Sequence, residues 1–589
     1  MVPTLWQRVA DFPNTDNGKI DRKRLAENFV ADSSLVSPQT QALSDTEQML
    51  LALWMRYLPI KNVDPECDFF RLGGHSLLAV TLVAEINRTF HCALTLKDIF
   101  HYSTLRALSA RIAQQSITDA AASQDDWVIV HDPEHRHQPF PLTDVQRAYW
   151  LGRQTGATSI ATHIYHEFDV EHFNVTRFTH AVNALIARHE MLRARVLPDG
   201  TQQILAQVPA YQLEQRDLSA LSPNARNDAL MAIRDRLSHH VHPADRWPLF
   251  DFSYSACTAQ HGRLHFSLDL LIADALSMRT LQQELMMLYR EPHVSLPLLP
   301  FSFRDYVQAL LVEQASEAYA RDQAYWQRAL PQLYGPPTLP VQGDLAQLSA
   351  IRFVRRRHRL SAHNWGVLSA LAQRTRITKT ALLLTVFSQV LARWSLSPTF
   401  TLNLTLFNRP QGYPNAEAVI GDFTAVSLLN VCYDSQHSYA HNAQRIQVQL
   451  WEDLEHRRFS GIRASEALIH SGRFHAPMPV VFTSMLDIDG ETTAQDPRDT
   501  TRFTLCPDAN ITQTSQVWLV HQVIELAGEL HFNWDAVEQL FDTTLLDQMF
   551  GAYCHALQAL VAMPQSWWGV NSSLALPTVS APVTQAPAP

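Results

Sequence analysis

A run rich in Ala, Ser, Gln and Asp, residues 114–127, divides the chain into a short part and a long one. A segment with so little apolar content cannot bury enough surface to offset the entropy of ordering it, so it reads as a linker, which we extend to 114–137. The division is what the length requires, because 589 residues exceed what one hydrophobic core supports. On the short side, Ser44 and Glu47 are spaced as a capping box ahead of the apolar-rich Met49–Trp54. A second helix is expected from Ser76 through Ile86, and 94–113 reads as one or two more, so 43–113 is expected to be a small all-α bundle.

The long side, 138–570, mixes two periods. Helical spacing at Phe178–His189, Ala275–Tyr289 and Asn364–Arg374 alternates with β-rich runs such as Val480–Phe482 and Gln516–Val520, an α/β pattern. A boundary near 290–320 gives expected lobes of about 138–300 and 310–570. Residues 1–30 are too few to fold alone and read as the tail of a larger domain. Residues 571–589, all Pro, Ala, Ser, Thr, Val and Gln near the end, read as a linker to a missing one.

Composition narrows the partners. A net charge of -10 and a pI near 6.2 disfavour a nucleic-acid or anionic-membrane binder, leaving a small substrate or a protein. The six cysteines lie far apart, without a Cys-x-x-Cys pair or zinc spacing, so reduced thiols, no metal and a cytoplasmic location are expected. No leader pattern and no apolar stretch of spanning length is present, so no membrane partner is expected.

Gly73 and Gly74 allow a tight turn just before Ser76, which then opens a helix. By itself this is an ordinary helix start. Its surroundings, Asp68-Phe69-Phe70-Arg71-Leu72-Gly73-Gly74-His75-Ser76-Leu77-Leu78-Ala79, resemble the attachment motif of the peptidyl carrier domains of nonribosomal peptide synthetases. The resemblance implies a four-helix carrier, 4′-phosphopantetheine covalently on Ser76, and a phosphopantetheinyl transferase that installs it. Phe12-Pro13-Asn14-Thr15-Asp16-Asn17-Gly18-Lys19-Ile20-Asp21-Arg22 is similar to the last motif of an adenylation domain, which implies an upstream adenylation partner. Lys19, separated from the rest of such a domain, is read as inactive.

In the long region, Phe140–Arg153, Arg188–Ala194, Leu402–Arg409, Gly421–Thr424 and Pro479–Ser484 stand in the order of motifs that mark the heterocyclization subfamily of condensation domains, which they resemble. The stretch Ser267–Ala275 lacks the His-His-x-x-x-Asp-Gly of ordinary condensation domains and carries Asp269 and Asp274, matching the subfamily's Asp-x-x-x-x-Asp. That absence argues against a freestanding acyltransferase. The resemblance implies a two-lobed α/β domain of the chloramphenicol-acetyltransferase type. It also implies a two-stage reaction: amide formation with a Cys, Ser or Thr on a downstream carrier, then cyclodehydration to thiazoline or oxazoline, as in siderophore synthetases. The family's acid–base pair is a Thr and an Asp, which fall on Thr483 and on position 520. Here Gln516-Val517-Trp518-Leu519-Val520-His521-Gln522 has Val520 where the Asp is expected.

Three readings stay open: amide formation alone, a substituted acid or base such as His521, Asp487 or Asp489, or an altered site. A silent docking platform is a further alternative. His521 should face away from Val520 if the run is a strand, which favours a satisfied core histidine. Gln513 is expected as a polar residue of the substrate channel. Asp269 and Asp274 are expected to be structural, paired to arginines such as Arg153 or Arg409.

Overall fold

The computed structural model describes residues 43–58, 64–70, 72, 76–92, 94–114, 128–154, 162–343, 345, 348, 351–410, 413–474, 478–486, 501–506, 509–542 and 544–569. The adenylation-like tail 1–30, the run 115–127 and the segment 571–589 lie outside the described residues. The chain forms two compact units, the first holding the helices of 43–114 with Leu360–Thr378 and Ala527–Glu529, the second holding the rest.

Within residues 43–114 four helices follow the sequence pattern: α1 (Asp45–Tyr57), α2 (Ser76–Phe90), α3 (Leu96–His101) and α4 (Leu105–Gln114). The Ser44 hydroxyl accepts from Glu47 N while the Glu47 carboxylate accepts from Ser44 N, the capping box that the spacing implies. Thr95 and Asp98 repeat the device on α3. Leu50, Leu53 and Trp54 on α1, Leu82 and Ile86 on α2, Ile99 on α3 and Leu105 and Leu108 on α4 are buried, spaced three or four apart as one helix face requires.

The second unit is built on two large sheets. The first contains β2 (His163–Glu171), β5 (Glu214–Asp217), β6 (Phe250–Ala256) and β7 (His261–Asp269), while β1 (Phe140–Pro141), β3 (Ala194–Val196) and β4 (Thr201–Ile204) make a small separate sheet. The second sheet contains β8 (Phe353–Leu360), β9 (Thr399–Phe407), β10 (Thr424–Cys432), β11 (Val480–Met485), β14 (Leu519–Leu526) and β15 (Glu529–Val537), in the order β10-β9-β11-β14-β15-β8. Between them in sequence, β12 (Arg502–Leu505) and β13 (Ile511–Gln513) leave the second sheet's run of chain and both pair with β2 of the first. A split of the region by sequence position does not anticipate that exchange, because β-pairing across a fold leaves no local signal.

The register of β2 with β7 sorts the first sheet into two unlike faces. Ile164, His166 and Phe168 share a face with Phe250, Phe252, Leu264 and Phe266, packed in one core with the helices Val175–Arg188 and Ala275–Arg290. The other face carries His163, Tyr165, Glu167, His265 and Asp269, with Leu230, Ile233 and Leu237 of the helix Pro223–Ser238 packed on Tyr165. In the second sheet Phe482, His521 and Trp534 lie against Phe387 of the helix Lys379–Trp394, and His521 and Trp534 also against Tyr553 of the helix Leu545–Ala562. The run Gln516–Val520 is strand only from Leu519 onward. Gln516 has φ +63°, a left-handed conformation that ends an extended run, and the Trp518 amide donates to Pro479 O at 2.8 Å instead.

Candidate active site

The Asp-x-x-x-x-Asp stretch joins the end of β7 to the helix Ala275–Arg290, and both carboxylates are engaged. Asp269 is buried; it accepts from Arg153 Nη2 at 2.5 Å and from Leu271 N at 2.9 Å. Asp274 is the N-cap of its helix, accepting from Ser277 N at 2.6 Å, and it also accepts from Arg409 Nη2 at 2.9 Å. Arg409 is fixed in turn by Val419 O at 2.7 Å and by the face of Phe423, 4.4 Å from its guanidinium. The opening motif supplies Arg153, and the Leu402–Arg409 motif supplies Arg409, so residues far apart in sequence are spent on one polar floor.

Gly421 closes that floor. Its carbonyl accepts from Asp274 N at 3.1 Å and from Ser277 Oγ at 2.8 Å, and a Cβ there would come within 2.1 Å of the Phe303 ring. Only glycine fits. Next to it Asp422 is buried, and burial, reinforced by the Asp274 charge, pushes its carboxyl well above the usual range. On this floor the Arg409 guanidinium pairs with the Asp274 carboxylate, and burial holds the neighbouring Asp422 carboxyl well above the usual range.

Thr483 sits on β11, between β9 and β14. The register sets it beside Thr405 and Gln522, and its hydroxyl donates to Thr405 Oγ1 at 2.9 Å. Val520, buried, lies opposite Val481, two residues from Gln522 on the same face as Thr483. Thr405, Gln522, Asn533 and Arg355 on this face are partly exposed, whereas the opposite face is the aromatic core.

A polar file crosses the open face. Asn533 Nδ2 donates to Gln522 Oε1 and to Asp535 Oδ2, both at 3.2 Å. Arg355 donates twice to Asp535 at 2.6 Å and once to Thr512 Oγ1 at 3.3 Å. The Val537 amide donates to Trp518 O at 2.9 Å, and the antiparallel register this fixes sets Asp535 across from Val520. The one carboxylate beside Val520 among the described residues is therefore committed to a bidentate arginine. Asn403, on the same face, donates to Met478 O, while its Oδ1 has no partner among the described residues.

The remaining expected residues separate. His521 faces the opposite way from Val520, fully buried among Phe387, Phe482, Trp534 and Tyr553, and burial lowers its imidazole to about 3. Its Nδ1–H donates to Asn533 O at 3.3 Å. A neutral core histidine of this kind is no general acid. Gln513 is buried and donates to Ser238 O at 2.8 Å, tying β13 to the end of the helix Pro223–Ser238. Asp487 and Asp489 lie outside the described residues, as do Gly73, Gly74 and His75 and the side chain of Ser76, whose backbone opens α2. Sequence reasoning missed Asp535, Arg355, Asn533 and Asp422. Asp422 lay inside a recognised motif, whereas the others are linked only by strand register.

Residues 136–570 match the family model described as Condensation domain, and residues 48–112 match the Phosphopantetheine attachment site. The chain is 35% identical over 454 residues to pyochelin synthetase PchF of Pseudomonas aeruginosa, covering 74% of this chain and 24% of that protein. It is 33% identical over 515 residues to phenyloxazoline synthase MbtB of Mycolicibacterium paratuberculosis, covering 86% of this chain and 43% of that one. Bacitracin synthase 1 of Bacillus licheniformis is 32% identical over 576 residues, 95% of this chain and 11% of its own length. The chain thus spans less than half of these curated relatives. Among solved structures, the cyclization-docking bidomain of EpoB from Sorangium cellulosum superposes with a TM-score of 0.69 at 36% identity, covering 78% of this chain and 93% of that one. No helix among the described residues is long and apolar enough to cross a membrane. A carrier bundle, a two-sheet domain with its floor of paired aspartates, and these matches together place the chain in the condensation-domain family of nonribosomal peptide synthetases, in its heterocyclization type, behind a phosphopantetheine-bearing carrier.

Proposed function

We propose that the domain joins the acyl group carried on Ser76 to the amine of a Cys, Ser or Thr on a downstream carrier, and that the open amide is its main product. Ring closure to thiazoline or oxazoline is the step that Val520 holds back. Phosphopantetheine supplies the thiol that holds the acyl group as a thioester. In the first stage the amine nitrogen bonds to the acyl carbon, the C–S bond breaks and the thiol leaves with a proton. That stage asks mainly for alignment. In the second, the side-chain sulfur or oxygen bonds to the amide carbon and the carbonyl oxygen departs as water, which requires a proton delivered to it.

The observation that carries this reading is the pairing at position 520: a buried valine, with Asp535 across the strand held by both oxygens on Arg355. Thr483 remains to orient the reacting oxygen through its hydroxyl, while position 520 offers it a valine side chain in place of a proton-exchanging carboxylate. Asp269 and Asp274 we assign to holding the floor, and Gln513 to anchoring β13. The setting is an assembly line in the cytoplasm, with an adenylation domain that loads the carrier and a phosphopantetheinyl transferase that primes it.

The carrier half of the reading is tested by Ser76→Ala. We expect the melting temperature of the full chain to hold while priming, followed by mass spectrometry of the peptide spanning Ser76, disappears along with all product. Priming that persists in the variant would place the arm elsewhere.

A further inference from the structure

Next to the floor, the loop 291–302 and the helices Val175–Arg188 and Ala275–Arg290 enclose a cavity of about 480 Å³. Leu298, 88% exposed, stands at its mouth. Met191, Leu288, Leu296, Phe301 and Ile420 give it apolar walls, and His189 and Glu190 are the polar pair set among them. Size and lining are those of a small-molecule site: apolar walls with a few placed polar groups. None of Thr483, Val520 or Gln522 lines it, so it is distinct from the reacting face.

The polar pair is short of donors. His189 is buried, and its Nε2–H donates to Glu284 Oε2 at 2.7 Å. Burial lowers its imidazole below the ordinary value and keeps the ring neutral, so Nδ1 carries a bare lone pair. That atom has no partner among the described residues. Glu190 repeats the situation: its Oε1 lies 3.5 Å from Arg136 Nη1, while its Oε2 is buried without a partner among the described residues. A buried acceptor left unpaired is costly, and here two consecutive residues each hold one. A primary ammonium brings three N–H donors and no acceptor, and an apolar group attached to it would cover the walls, whereas a carboxylate would bring only more acceptors.

We propose that this cavity binds a small apolar primary amine, and that the bound amine braces the floor. Val419 and Ile420, in its wall, run directly into Gly421, whose carbonyl accepts from the Asp274 amide. Val419 O holds Arg409 Nη1 at 2.7 Å, and Phe303, also in the wall, is the ring that closes on Gly421. A ligand packed on this wall restrains the segment that fixes both Arg409 and Asp274, so its binding and the order of the floor are linked.

The test uses the full chain with two probes of one ring size, 2-phenylethylamine and 3-phenylpropionate. Ala184→Trp and Val294→Trp fill the cavity from the helix and from the loop, both at half-buried positions. We expect the amine to bind the native chain with a Kd of about 1 mM or tighter by calorimetry and to raise its melting temperature. The carboxylate should do neither, and both filled chains should bind the amine about tenfold or more weakly. No binding to the native chain, or equal affinity in both filled chains, would overturn the site; a carboxylate that binds as well as the amine would overturn its chemistry. The brace is read by hydrogen exchange with mass spectrometry: saturating amine should slow exchange at the Asp274 and Gly421 amides about fivefold in the native chain and leave it unchanged in Ala184→Trp. Exchange that does not slow in a native chain saturated with amine would overturn the link to the floor.

Discussion

The floor and the open face of the second sheet are both polar, both assembled from distant segments, and built on opposite principles. On the floor Asp269 pairs with Arg153 and Asp274 with Arg409, while burial raises the Asp422 carboxyl beside them. On the face the hydroxyls of Thr483 and Thr405 and the amides of Gln522 and Asn533 sit among partly exposed neighbours, the buried Oδ1 of Asn403 has no partner among the described residues, and the ion pair of Asp535 with Arg355 stands across from a valine. Charge locked in pairs holds a fold together, whereas neutral hydrogen-bonding groups on a partly exposed face can exchange partners at lower cost. The difference separates the two sets of residues that the family's motifs would otherwise lump as one active site.

The comparison breaks most visibly at Arg409. Arg409→Ala strands Asp274 as a buried, uncompensated carboxylate, so it should cost roughly 3–5 kcal/mol of stability and take all activity with it, readable as a fall in melting temperature. An Arg409→Ala chain as stable as the native one would move the floor from structure to chemistry. On the face the expectation reverses. Thr483→Val deletes one hydroxyl bonded to another, a cost of about 1 kcal/mol or less, yet in the Val520→Asp chain it should lower ring closure by about 100-fold with amide formation unchanged. Equal loss of both steps there would make Thr483 a packing residue.

A smaller effect sharpens the line between face and core. His521 is held neutral by burial, its imidazole lowered to about 3, whereas in the unfolded chain it titrates near 6.5. The unfolded state therefore binds the extra proton first, and stability present above pH 6.5 is lost as pH falls towards 3, by up to about 1.4 kcal/mol per pH unit. His163 and His242, both lowered to about 4, tilt the same limb. Replacing His521 by Phe, which suits its aromatic surroundings, should flatten the acid limb of a pH–stability curve and leave product ratios untouched.

Much of this was legible in the sequence, and the failures share a cause. Local chemistry announced itself: the Ser44–Glu47 capping box, the helix starting at Ser76, and Asp274 as a helix N-cap are contacts three residues apart or fewer. The opening motif and the aspartate stretch were readable because each is contiguous, although their meeting through Arg153 was only an expectation of type. Val520 could be named as a departure from the motif the run resembles, and His521 as a core histidine from the period of a strand. Asp535 could not be found that way. Its importance comes from antiparallel register with β14, and Gln513 turned to Ser238 rather than towards the reacting residues because β13 crosses to the other sheet. Register and strand exchange are properties of pairs of segments, and a single segment carries no mark of them.

The direct measurement is the mass of the product. The primed full chain, its carrier acylated, is mixed with a cysteinyl-loaded carrier, and the acyl-cysteinyl carrier is weighed for the native chain and for Val520→Asp. We expect the native product to weigh the full sum of acyl and cysteinyl groups, and the Val520→Asp product to shift to that sum less one water, the ring-closed form. A native chain that releases the water as fast as Val520→Asp does would contradict the account, because ring closure would then run without a carboxylate at position 520.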